Sequence, residues 1–164
     1  MPRVTHKSLT AALQKIQGMD LDEKEAICDE IHREQPNLLY SVLVLPRMGV
    51  SLAYVDIVLE ILMVIHLALK ESGKKLKTIT TKEQERELKR LVDHMNPSAG
   101  KKPEVFAELM ERYIGYRKEP FLLAYVVVLL KEKGVPYDTR EESKHVILTA
   151  VHLVGCIANA KKLV

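Results

Sequence analysis

Cys28 stands four residues before His32, and Cys156 stands four residues after His152. Residues four apart share one face of a helix, so each pair can present two ligands to one metal ion. Together Cys28, His32, His152 and Cys156 would make a Cys2His2 set of the kind that holds zinc tetrahedrally. A simpler reading competes with this. Cys28 falls at the edge of an apolar stripe, and cysteine is commonly just a buried residue. The expectation is two core cysteines and no cofactor.

A second constellation joins Asp56 and His66 on one long apolar segment to Glu142 and His152 on another. Within each segment the two residues are ten apart, about 15 Å along a helix. Antiparallel crossing would bring Asp56 to His152 and Glu142 to His66. Such contacts would be ion pairs, a pH-sensitive joint, or the floor of a ligand site. The preferred alternative puts Asp56, Glu60, His66 and Lys70 on one exposed polar arc. On the last segment, Glu141, His145, Thr149, His152, Cys156 and Asn159 also follow helical spacing. Glu142 and His145 form an E-x-x-H, as on di-iron helices, but Asp29 and His32 are the only partial echo of the second motif such a site needs. A solvent-facing helix side is the expectation there.

Other chemistry lacks its signature. Gly73-Lys74 and Gly100-Lys101 have neither the upstream glycine nor the following Ser or Thr of a phosphate loop. There is no G-x-S-x-G elbow, H-E-x-x-H or C-x-x-C. Net charge is +3 with 29% charged residues, mild for a nucleic-acid binder. The basic run Lys70 to Lys77, with Lys74, Lys75 and Lys77, has no interleaved aromatics and reads as a solvated linker. Two cysteines do not make a disulfide framework, and the polar first residues lack a signal core. These features point to the cytoplasm.

The elements that must position these groups read as helices throughout. Ser8 caps a first helix ending near Gly18, and Asp20 or Asp22 opens a second. Pro36 starts a third, suited to a first helical turn. Ser51 caps a long fourth closed by Gly73. Thr80 or Thr81, Pro103, Pro120, and Asp138 or Thr139 open four more. Residues 50–69 are greasy enough to raise the question of a membrane span, but Asp56 and Glu60 lie inside. A buried core helix is expected, with no membrane contact.

The two halves share a rhythm. With Pro36 over Pro120, six of the ten positions 36–45 are identical, among them Leu38/Leu122, Leu39/Leu123 and Val42/Val126. A slip of one sets Gly49-Val50 over Gly134-Val135. A further slip sets His66-Leu67 over His152-Leu153. Upstream, Leu13 and Ile16 match Leu88 and Leu91. The sequence thus predicts an all-α domain over 1–164, made of two related four-helix halves, 5–73 and 80–164, joined by a basic linker 74–79. They pair as a pseudo-dimer or stack as a helical array.

The expected function is a non-enzymatic helical protein–protein interaction or regulatory module. A protein partner and a homodimer are expected, the latter through residues 42–45, and nucleic acid ranks lowest. The alternative is a small-molecule or metal-binding protein with its site between the halves.

Overall fold

The computed structural model describes residues 2–95, 118–136 and 140–163. Among these the chain is all-helical. In order come α1 (His6–Gln17), α2 (Leu21–Glu34), α3 (Pro36–Leu43), a 3-10 turn (Leu45–Met48), α4 (Leu52–Glu71), α5 (Thr81–Met95), α6 (Pro120–Glu132) and α7 (Glu141–Asn159). The helix expected from Pro103 and the caps Asp138 and Thr139 lie outside the described residues.

Local chemistry explains the helix ends. Thr5, not Ser8, is the N-cap of α1. Its Oγ1 accepts the Ser8 N–H at 3.1 Å, while Ser8 Oγ accepts the Thr5 N–H at 2.9 Å, a reciprocal capping box. Asp20 caps α2 by accepting the Glu23 N–H at 2.8 Å. Thr80 does the same for α5 with the Glu83 N–H at 3.1 Å. Gly49 and Gly134 close their helices at φ 87° and 76°, a region where a side chain is strained. In both, the valine that follows donates back five residues, Val50 to Leu45 O at 3.2 Å and Val135 to Leu130 O at 2.9 Å.

The centre of the fold is the pair α4 and α7, which pack on each other. Around α4 lie α1, α2 and α3, and α1 makes the most extensive contact. Around α7 lie α5 and α6. Ten residues of α4 and twelve of α7 are buried, which makes these two helices the spine of one continuous aliphatic core. Each fully buried aliphatic side chain there, such as Ile61, Val64 or Leu153, is worth roughly 1.5–3 kcal/mol. By length and composition α4 alone among the described helices could cross a membrane, and most of that stretch is buried against its neighbours.

One short extended pairing completes the fold. Leu76 and Lys162 form an isolated antiparallel bridge. Lys77 N–H donates to Lys161 O at 2.8 Å, and Leu163 N–H donates to Lys75 O at 3.0 Å. The segment read from sequence as a solvated linker is therefore tied to the stretch that follows α7.

Candidate functional site

His66 on α4 and His152 on α7 are both buried but turn to different neighbours. His66 is buried, with Nε2 3.6 Å from Glu30 Oε1 and Nδ1 3.9 Å from Glu34 Oε2, both on α2. These distances are too long for hydrogen bonds, and Nε2 has no partner. Burial holds the His66 pKa below the usual imidazole range, against the opposing pull of Glu34 and Glu30. Glu30 in turn accepts from Lys70 Nζ at 2.8 Å, which holds its carboxyl below the ordinary range.

His152 faces α5. Its Nε2 lies 2.8 Å from Gln84 O, and Cys156 Sγ lies 3.4 Å from the same nitrogen. A carbonyl can only accept, so this nitrogen carries the proton and cannot take one from the thiol. Burial, with Glu87 and Glu83 nearby, pushes the Cys156 thiol up to about 12. The pair is therefore a poor nucleophile–base couple. Asn159 Nδ2 donates to the buried Glu87 at 2.8 Å and extends this polar seam between α5 and α7.

Two sequence expectations are corrected here. His66 does not sit on an exposed arc with Asp56, Glu60 and Lys70, because α2 covers it. His152 and Cys156 do not face solvent, because α5 covers them. The antiparallel contacts are not formed either. Glu142 Oε1 accepts the Ser51 N–H at 2.9 Å, which caps the start of α4 and lowers the Glu142 pKa. Ser51 is some 22 Å along the α4 axis from His66, out of reach for Glu142. Asp56 faces a groove beside α2 while His152 faces α5. Nor are the four zinc candidates gathered. Cys28 lies in the groove beside α2, His32 Nε2 pairs with the Tyr40 hydroxyl at 3.1 Å, and His152 and Cys156 face α5. Among the described residues no group of three or more His, Cys, Asp or Glu is placed to hold a metal.

What the structure does bring together is a groove of about 790 Å³ between α2 and α4. Cys28, Ala53, Ile57 and Met63 give it an apolar floor, with Leu21 at the edge, 71% exposed. Glu25, Asp29, Asp56 and Glu60 line it with negative charge, against Lys24 and Lys133. Burial, then Asp29 and Glu25, raise the Cys28 pKa.

Two buried polar residues that the sequence did not single out are Gln35 and Glu119, each directly before the proline that opens a helix. They share a backbone conformation, φ −137° and ψ 60° against φ −132° and ψ 64°. Gln35 accepts the Ile79 N–H at 2.8 Å and donates to Lys77 O at 2.9 Å. Glu119 accepts the N–H groups of Arg3 at 2.7 Å and Val4 at 3.1 Å. Each thus holds the extended segment that leads into α5 or α1. Burial raises the Glu119 pKa and these two backbone N–H groups oppose the shift. Their one sequence signal is their place before Pro36 and Pro120.

Comparison with protein-family models, with curated proteins and with solved structures finds no match.

Proposed function

We propose that this protein is a non-enzymatic helical interaction module, and that its α2–α4 groove docks an amphipathic, basic segment of a partner protein. The observation that carries this is the groove itself. It combines an apolar floor with four carboxylates against two lysines, the complement of a helix with one apolar and one cationic face. The groups best suited to chemistry, His152 and Cys156, are engaged with each other and with Gln84. A titration with two synthetic helical peptides tests the proposal, identical in their leucines but carrying lysine or glutamate on the polar face. The lysine peptide should bind, protect Cys28 from maleimide, and lose about tenfold or more in affinity to an Asp56→Lys/Glu60→Lys variant. Equal binding of both peptides, or no effect of the variant, would overturn it.

The same reading includes an internal duplication. Several features support it. The residues before Pro36 and Pro120 share a conformation and a task. Gly49-Val50 and Gly134-Val135 close their helices alike. The Leu76–Lys162 bridge pairs residues at the offset that sets His66 over His152, and its two hydrogen bonds exchange under that offset. That is the pattern of a local twofold axis.

Self-association belongs to the proposal as well. Val42 and Leu45, expected at a dimer contact, are core residues. Tyr40, Leu43, Val44 and Met48 beside them are exposed and make an apolar ridge on α3 and the 3-10 turn. Sedimentation velocity should give a dimer that a Val44→Lys/Met48→Lys variant converts to monomer. A monomeric native protein would remove this part.

A further inference from the structure

The bridge between residues 74–77 and 161–163 has a consequence for charge. It brings Lys74 beside Lys162, and both line a cavity of about 390 Å³ together with Arg3, Lys118 and Glu119. Four cations thus surround one carboxylate, and the carboxylate already accepts the Arg3 and Val4 N–H groups. Two of the cations have structural work. The Arg3 guanidinium donates to the carbonyls of Ile157 and of Ala160, the latter at 2.5 Å, and so caps the end of α7. Lys118 Nζ donates to Asn159 Oδ1 at 2.5 Å. Lys74 and Lys162 are exposed and have no carboxylate partner among the described residues. Like charges converging on one concavity repel one another until a counter-charge enters.

We propose that this cavity is an anion site whose ligand is a compact polyphosphate. Its size is at the low end for small-molecule sites. Its other walls among the described residues are Pro2, Pro120 and Ala158, which offer no aromatic face on which a base could stack. Lysine ammonium groups suit phosphoryl oxygens as point charges, and Arg3 has further N–H donors beyond those it uses. The duplication adds an argument that rests on that reading. At the offsets of the repeat, Arg3, Lys74, Lys118 and Lys162 fall over Thr78, Ala160, Glu34 and Leu76. The same backbone framework is built there without positive charge, so the scaffold does not require the cations.

The test is calorimetric titration of the full chain with sodium tripolyphosphate, with sodium sulfate as the simple-anion control. Saturable binding of one tripolyphosphate per chain is expected, with sulfate much weaker. A Lys74→Gln/Lys162→Gln variant should lose about tenfold or more in affinity. A Lys75→Gln/Lys77→Gln variant, which removes the same charge from the 74–77 segment at positions that do not line the cavity, should stay within about twofold. Circular dichroism of both variants keeps a folding defect from passing as lost binding. Absence of saturable binding would overturn the site. Equal losses in the two variants would also overturn it, leaving a diffuse basic surface. Tighter binding of a single-stranded oligonucleotide than of tripolyphosphate would replace it with an extended nucleic-acid surface. None of these outcomes depends on the α2–α4 groove.

Discussion

At the scale of single residues, the difference between Gln35 and Glu119 follows from what each must satisfy. Gln35 meets one carbonyl and one N–H, so it needs a donor and an acceptor, which an amide supplies. Glu119 meets two N–H groups, so it needs two acceptors, which a carboxylate supplies. Exchanging the two chemistries leaves a buried group facing its own kind. Gln35→Glu sets a carboxylate oxygen against Lys77 O, and Glu119→Gln sets an NH2 against a backbone N–H. Each substitution is predicted to destabilise by about 1–3 kcal/mol, read as a lower urea midpoint with an unchanged slope. A surface-like loss of a few tenths in both would show that neither side chain holds its segment. Apart from their place before Pro36 and Pro120, nothing in the sequence distinguished these residues from other polar letters, because their importance lies in partners that are 42 to 116 residues away.

At the scale of elements, the helices were legible because their signals are local. Pro36 and Pro120 at first turns, Asp20 and Thr80 as caps, and Gly49, Gly73 and Gly134 at ends all act within one turn. The direction in which each polar residue faces was not legible. Spacing places His66 and Lys70 on one face, but whether α2 lies over His66 is a property of packing. The structure puts it there, which makes the α2–α4 joint sensitive to acid. His66 has a lowered pKa in the fold, so below the ordinary imidazole range of about 6.5 the unfolded chain binds a proton that the folded chain resists. Its contribution is present above that pH and is lost as pH falls. Glu30, Glu34 and Lys70 are the charged groups facing it, and the carboxylates temper the loss without reversing its sign. His152 adds a shift of the same sign, while the raised pKa of Glu119 acts oppositely in a lower window. Thermal stability is predicted to fall between about pH 7.5 and 5.5. A His66→Leu variant, which removes the unpaired buried nitrogen, should be at least as stable at neutral pH and show a shallower fall. Parallel curves for the two proteins would show that His66 does not contribute.

At the scale of the whole molecule, the sequence shows a rhythm of prolines, glycines and histidines, but not how the residues before and after 73 hold one another. Gln35 grips residues 77–79, which lead into α5, and Glu119 grips Arg3 and Val4, which lead into α1. The central helices α4 and α7 then pack across the divide, and Glu142 of α7 caps the start of α4. Cutting the chain between residues 73 and 74 would separate every one of these contacts while leaving α1 on α4 and α5 on α7. Each fragment would expose the side of its long helix that the other covers, an apolar face too large for a stable monomer. Fragments 2–73 and 74–163 expressed alone are therefore predicted to be poorly helical or self-associated. Co-expressed, they should copurify as one-to-one complexes with the helicity of the intact chain. The Glu119→Gln substitution in the second fragment should weaken that complex by about tenfold, the binding equivalent of one lost buried hydrogen bond. A fully helical, monomeric fragment 2–73 would mean that the first half is self-sufficient, and that the exchanged segments are attachments and not the lock.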